Sequence, residues 1–180
     1  MIEMSIPGLR VIEPKVFGDN RGLVTELYQA DRYAGCGIST AFVQDNLSRS
    51  ARKVLRGLHL QNPRPQGKLV TVIKGAILDV AVDVRVGSPN FGQHVKIELN
   101  DENRRQVWIP RGFAHGFLVL SESADFLYKC DDFYSPADEL VIKWDDPTLA
   151  IDWGLTSPEL SPRDRAGRTL KELEPLLPKF

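Results

Sequence analysis

Three histidines carry the side-chain chemistry that suits proton transfer near neutral pH: His59, His94 and His115. His59 lies in VLRGLHLQ, and His115 lies in IPRGFAHGF, where a proline and two glycines predict a tight turn. His94 follows a turn in FGQHVKIEL and is interpreted as an ordinary surface residue of a strand. His59 and His115 are therefore the candidates for a functional site.

The neighbours of His59 leave its surroundings open. Arg56 precedes it by three residues, so on a regular strand the two side chains point to opposite faces. Gly57 lies between them and allows a bend or bulge that would change this.

An imidazole can take a proton from a carbon next to a ketone if the enolate oxygen is stabilised. Lys68, at the start of a predicted strand, could stabilise that oxygen, and Tyr128 could return a proton from the opposite face. Asp83 and Asp164 are both candidates for the carboxylate that orients the imidazole. The residues alone do not decide between these two aspartates.

A metal site is not expected. The P-x-G-x-x-H segment that ends at His115 resembles the second half-motif of cupins, many of which bind a metal through an H-x-H pair and further ligands. His59 is followed by Leu-Gln instead of a second histidine. Asp79, Asp83 and Glu139 could complete a coordination shell, but no ligand spacing points to them. We predict neither a metal nor a cofactor.

Length and composition indicate one ordinary globular domain over residues 1–180. The net charge of −1 argues against nucleic-acid and anionic-membrane binding. No stretch reaches the roughly 20 apolar residues of a membrane helix, and the N-terminus does not read as a signal peptide. A cytoplasmic location is expected, with Cys36 and Cys130 as reduced thiols.

Many short β-rich segments, separated by turn residues, predict an all-β fold. In AILDVAVDVR the residues alternate, with Leu78, Val80, Val82 and Val84 on one face. Helices are expected over residues 31–36 and 164–174. The predicted architecture is a single jelly-roll β-barrel with a short C-terminal helical segment, and the resemblance of the segment at His115 to the cupin half-motif implies that the barrel is of the cupin type. A homodimer would cover an exposed sheet face. Further strands are expected in LRVIEPKVF, GLVTELY, TAFVQDNLS, VLRGLHLQ, KLVTVIKG, QHVKIEL, RQVWIP, GFLVL and ADFLYKC.

Eight segments stand in an order that resembles the dTDP-4-dehydrorhamnose 3,5-epimerase family from Val11 to about Leu170. They are FGDNRGLVTELY, FVQDNLSRS, VLRGLHLQ, QGKLVTVIKG, DVAVDVRVGSPNFG, WIPRGFAHGF, LYKCDDFYSPADE and ELSPRD. The resemblance implies inversion of C3 and C5 of dTDP-4-keto-6-deoxyglucose, without metal or redox cofactor, in dTDP-L-rhamnose biosynthesis. It also implies His59 as base, Asp164 as its dyad carboxylate, Tyr128 as acid and Lys68 beside the C4 oxygen.

The same resemblance implies a substrate-binding set and a homodimer. Tyr134 would stack on thymine, and Arg21 and Glu26 could act across the dimer interface. The implied binding residues are Arg21, Glu26, Gln44, Asp45, Asn46, Arg56, His115, Tyr134, Glu139 and Arg163.

Some positions depart from the family pattern and leave alternatives open. Arg163 stands where a lysine is usual, and Leu60 replaces a common aromatic residue after the family histidine. Epimerisation at C3 or C5 alone, or of another sugar nucleotide, is therefore an alternative. A metal-dependent cupin enzyme and a non-catalytic sugar-binding cupin are alternatives from other classes.

Overall fold

The computed structural model describes residues 1–180, and strands dominate it. The longest helix has six residues, so no helix in the chain has the length needed to cross a membrane. The strands are β1 Ile2–Glu3, β2 Arg10–Ile12, β3 Val16–Asp19, β4 Gly22–Thr25, β5 Gln44–Ala51, β6 Leu55–Gln61, β7 Lys68–Lys74, β8 Ala76–Asp83, β9 His94–Asn100, β10 Gln106–Ile109, β11 Phe113–Val119, β12 Ser123–Cys130 and β13 Glu139–Val141. The helices are α1 Ala30–Gly35, α2 Pro162–Arg165 and α3 Leu170–Leu173, followed by a 3₁₀ turn at Glu174–Leu176.

Two antiparallel sheets form the body of the molecule. One has six strands in the order β1-β2-β10-β7-β12-β5, and the other has five in the order β13-β6-β11-β8-β9. The strands β3 and β4 form a separate hairpin. Almost every strand runs between turns rich in glycine, proline and asparagine, as the sequence indicates. The all-β prediction is confirmed.

Two apolar clusters lie on opposite faces of the five-stranded sheet, and β8 shows why. Val80, Val82 and Val84 belong to the cluster that also contains the C-terminal residues Leu170 and Leu173. The residues between them point the other way, into the interior between the sheets. The alternation predicted for β8 is confirmed. Since both faces of this strand are covered, Asp79 and Asp83 are buried as well.

Three expectations about elements need correction. The predicted strand over residues 9–17 is interrupted around Pro14, because a proline supplies no donor to a ladder. The predicted helix over 164–174 is two short helices, because Gly167 packs against the Lys143 backbone and Arg168 bridges to Ile142. Strand β13 was not among the predicted strands, and pairing with the distant β6 makes Glu139 a strand residue. The helix expected at residues 31–36 is confirmed as α1, shifted by one residue.

The register of β6 against β11 shifts where their backbones come closest. His115 pairs with His59, but Phe117 pairs with Arg56, so one strand carries an extra residue between these pairs. Gly57 has a φ of +121°, and a Cβ there would lie 2.6 Å from the Cα of Gly116. The bend that Gly57 permits puts Arg56 and His59 on the wall of the same cavity.

Gly57→Ala should therefore lower the free energy of unfolding by about 3 kcal/mol, since a Cβ is both strained at this φ and in contact with backbone. Gly35→Ala is the matched control: a Cβ there meets nothing within 4 Å, so its stability should be unchanged or slightly higher. Urea unfolding of both variants measures the difference. Equal stabilities of the two variants would contradict this account of the bulge.

Candidate active site

An open cavity of about 370 Å³ lies between the two sheets, and most of the predicted site residues line it. They come from β5, β6, β7, β11, β12, β13 and α2, so the site forms only when both sheets and the C-terminal segment are in place. The predicted residues on its wall are Gln44, Asn46, Arg56, His59, Lys68, His115, Tyr128, Tyr134, Glu139 and Arg163.

His59 is paired with Asp164 behind the cavity wall. Its Nε2 lies 2.5 Å from Oδ1 of Asp164, whose side chain is 3% exposed. Burial raises the pKa of Asp164, but hydrogen bonds from His59, Ser161 and the Gly57 backbone outweigh it and leave the pKa below its usual value. The carboxylate is thus ionised at neutral pH and holds the ring, while Nδ1 of His59 has no protein partner.

Asp83, the other candidate partner of His59, is engaged elsewhere. Its carboxylate accepts hydrogen bonds from Arg85 at 2.6 Å and 2.9 Å and from Ser88 at 2.6 Å. Burial raises the pKa of Asp83, and these bonds bring it below the ordinary value. Asp83 stabilises the turn after β8 and does not contact His59.

Lys68 and Tyr128 present groups to the cavity that no other side chain binds. No hydrogen bond or ion pair joins the Lys68 ammonium to the protein, and burial lowers its pKa against the opposing influence of Cys130, Glu139 and Asp79. Burial, followed by the influence of Cys130, raises the pKa of Tyr128. An ammonium that is poorly solvated and a phenol that stays protonated are both suited to act on a bound substrate.

His115 belongs to a second histidine–aspartate pair on the same wall. Its Nε2 lies 2.8 Å from Oδ2 of Asp79, and the two side chains are 7% and 1% exposed. Its ring stacks on Phe126 at 6.0 Å. Sequence reasoning considered Asp79 only as a metal ligand, although the alternation of β8 places it on the inward face, where a partner is required.

Tyr134, Glu139 and Arg163 form one cluster at the cavity mouth. The Tyr134 hydroxyl donates to Glu139 at 2.9 Å and accepts from Arg163 at 3.1 Å, and Arg163 also pairs with Glu139. Arg163 is therefore tied to the ring that was predicted to stack on thymine. In this state its guanidinium orients Tyr134.

Three predicted binding residues lie away from the cavity. Asp45 points to the outer face of β5, since neighbours on a strand alternate, and pairs with Lys129 at 2.9 Å. Arg21 pairs with Asp19 in the β3–β4 hairpin, and Glu26 pairs with Arg32. A single chain does not bring these three carboxylate and guanidinium groups to His59.

Several cavity residues were not predicted, among them Cys130, Gln66 and Ser48. Cys130 is a buried free thiol. Ser48 and Asn46 share the inward face of β5, so extending that alternation from Asn46 would have found Ser48. No group of three or more His, Cys, Asp or Glu side chains is arranged to hold a metal ion.

Comparison with known proteins identifies the family of the chain. The family model of dTDP-4-dehydrorhamnose 3,5-epimerase matches residues 3–172. A dTDP-4-dehydrorhamnose 3,5-epimerase of Pseudomonas aeruginosa is 53% identical over 173 residues, which are 95% of this chain and 96% of the relative.

Solved structures agree on the fold. A dTDP-6-deoxy-D-glucose-3,5-epimerase of Legionella pneumophila, in complex with dTDP-4-keto-L-rhamnose, is 54% identical with a TM-score of 0.97, covering 99% of this chain and 97% of that one. A 3'-monoepimerase of Streptomyces bikiniensis, in complex with dTDP-quinovose, is 34% identical with a TM-score of 0.93, covering 99% and 93%. The predicted cupin-type fold is confirmed. The chain belongs to the dTDP-4-dehydrorhamnose 3,5-epimerase family, whose members are sugar-nucleotide isomerases.

Proposed function

We propose that the chain inverts C3 and C5 of dTDP-4-keto-6-deoxyglucose in dTDP-L-rhamnose biosynthesis, with His59 as base and Tyr128 as acid. The observation that carries this proposal is the His59–Asp164 pair on the wall of a cavity that also holds Lys68 and Tyr128. Family membership supports the substrate, and the free groups in the cavity support the roles.

The first step is proton abstraction. The C4 ketone acidifies the hydrogens on C3 and C5, so Nδ1 of His59 can take one of them while the bonding electrons move to the C4 oxygen. The Lys68 ammonium would stabilise the enolate oxygen that results. Asp164, already ionised, would stabilise the imidazolium that His59 becomes.

The second step is proton return. Tyr128, whose pKa is raised, keeps its proton at neutral pH and would give it to the opposite face of the same carbon as the enolate collapses to the ketone. Arg56 lowers the pKa of Tyr128 against this trend and would stabilise the phenolate left behind. Exchange with solvent through the open cavity would then restore both groups.

Nucleotide binding would use the cations and the ring at the mouth. Arg56 offers forked donors for a diphosphate. Tyr134, 44% exposed and held by Glu139 and Arg163, would present its face to thymine.

A homodimer would complete the site. Phe17 and Val24 face each other across the β3–β4 hairpin and are 58% and 72% exposed, more than a free hairpin of this length would sustain. Packing this hairpin on a second copy would cover the apolar residues. It would also bring Arg21 and Glu26 to the other copy's substrate. The cytoplasmic location stays a prediction.

A single-site epimerase is the second candidate. The 3'-monoepimerase of Streptomyces bikiniensis has nearly the same backbone at 34% identity. The fold therefore does not separate one inversion from two, and the experiment below counts them.

His59→Asn should reduce proton exchange at both C3 and C5 by at least about 100-fold, because no other group replaces the base. Affinity for dTDP should stay the same, since His59 faces the sugar. Proton NMR of dTDP-4-keto-6-deoxyglucose in deuterium oxide follows each carbon, and calorimetry with dTDP measures binding.

Tyr128→Phe is the matched variant, since it keeps the base and removes the acid. Exchange should persist there while inversion falls. Exchange at one carbon in the unaltered protein would favour the single-site epimerase, and near-normal exchange in His59→Asn would overturn the proposed mechanism.

The fall of kcat/KM at high pH should be due to the loss of the Lys68 proton. Burial lowers the pKa of Lys68 and raises that of Tyr128, so as pH increases burial favours loss of the ammonium proton and retention of the phenol proton. Lys68→Arg, which keeps its charge, should react more slowly but hold its rate to higher pH. Profiles of kcat/KM against pH measure this shift. If kcat/KM of Lys68→Arg fell at the same pH as that of the unaltered protein, the assignment of this fall to Lys68 would be contradicted.

Val24→Asp should yield a monomer, because a carboxylate cannot be buried in an apolar interface without a partner. Sedimentation velocity measures the mass. Leu176→Asp, at an apolar site that is 47% exposed and lies outside the hairpin, is the control. If the hairpin supplies Arg21 and Glu26, the monomer should also bind dTDP more weakly. A monomeric unaltered protein would overturn the dimer.

A further inference from the structure

Asp131 is a buried carboxylate that directly follows the cavity strand β12. Its side chain is 4% exposed, and three groups donate to it. Arg111 Nε lies 2.9 Å from Oδ2, Thr40 Oγ1 lies 3.3 Å from Oδ2, and the Gly67 backbone N–H lies 2.6 Å from Oδ1. Arg111 also donates to the Asp131 carbonyl at 3.2 Å. Asp131 does not line the cavity, so none of this network touches the substrate.

The contact with Gly67 is reciprocal and tight. The Asp131 backbone N–H donates to the Gly67 carbonyl at 3.1 Å, and the Gln66 side chain donates to the Asp132 carbonyl at 2.7 Å. A Cβ on Gly67 would lie 2.6 Å from Cη2 of Trp108 and 2.8 Å from Oδ2 of Asp131. The backbone at Gly67 is therefore enclosed between Asp131 and Trp108.

Gly67 immediately precedes Lys68, the first residue of β7. Lys68 pairs with Cys130 in the ladder, so both ends of the Gly67–Asp131 contact continue into the cavity wall. The Lys68 ammonium has no hydrogen-bond or ion-pair partner in the protein. Its position consequently depends on the backbone from which the side chain starts.

We propose that Asp131 is a positioning residue for Lys68: its carboxylate, held by Arg111, fixes the Gly67 amide and with it the start of the side chain that reaches the C4 oxygen. This inference rests on the proposed role of Lys68 in the epimerisation. A displacement of the ammonium by about 1 Å is enough to cost up to about 100-fold in rate.

Asp131→Asn tests the proposal. The amide keeps the size of the carboxylate, but its NH₂ group must face either the Arg111 donor or the Gly67 donor, so one of these two contacts is lost. We expect kcat to fall by about 10- to 100-fold, with the dissociation constant for dTDP unchanged within about a factor of two. Asp125→Asn is the matched control, since it breaks the ion pair between Asp125 on β12 and Arg49 on β5. The kcat of this variant should stay normal.

A cycle with Lys68→Ala separates positioning from general support of the fold. If Asp131 acts through Lys68, Asp131→Asn should change kcat little when Lys68 is already alanine. If the losses in kcat of the two single variants multiplied in the double variant, the inference would be overturned. Normal kcat in Asp131→Asn with impaired Lys68→Ala would overturn it and leave the proposed function intact. Normal kcat in Lys68→Ala would overturn both.

Arg111→Gln decides the matter if Asp131→Asn does not fold. Arg111 is half-exposed, and its replacement leaves the Gly67 contact in place. Its loss leaves Oδ2 of Asp131 with only the longer hydrogen bond from Thr40. We therefore expect kcat to fall by about three- to tenfold, and to stay unchanged in the Lys68→Ala background. Circular dichroism checks that each variant is folded. An unchanged kcat in Arg111→Gln would overturn the inference.

Discussion

The hydrogen bond between His59 and Asp164 joins residues 105 positions apart and depends on most of the fold. Asp164 lies in the short helix α2, which stays in place because Leu170, Leu173 and Leu177 pack on the outer face of the five-stranded sheet. His59 lies on β6 of that sheet. The C-terminal segment, peripheral to the barrel, therefore supplies the group that holds the ring.

Charge in the cavity is unevenly distributed. Each acidic side chain on or behind its wall has a partner: Asp164 with His59, Asp79 with His115, and Glu139 with Arg163. Lys68 has none, although burial without a partner is costly for an ammonium. Local rules of stability are most often broken where function requires it. An unpaired cation is free to meet an oxygen that becomes negative during the reaction.

The sequence predicted what depends on local patterns, and long-range contacts decided the rest. Alternation in β8 correctly indicated a strand with Val80, Val82 and Val84 on one face. It could not show that Asp83 binds Arg85 while Asp164 binds His59, because that choice depends on where the C-terminal segment packs. Likewise, Arg56 and His59 share a cavity only because Gly57 meets Gly116 on another strand. A role for Arg21 and Glu26 in the site would require a second chain.

If one base and one acid perform both inversions, as proposed, the cavity is under a constraint. C3 and C5 lie on either side of C4. The sugar would therefore have to turn about its C4 oxygen, held at the Lys68 ammonium, so that first one carbon and then the other lies between the base and the acid. In the proposed mechanism His59 and Tyr128 would act in either inversion, and they would not choose between them. In that mechanism the choice would fall to the walls that set the tilt of the sugar, among them Phe117. A wall that let the sugar ring move between the two presentations would allow both inversions, whereas a wall that held it in one would leave a single-site epimerase with the same acid and base.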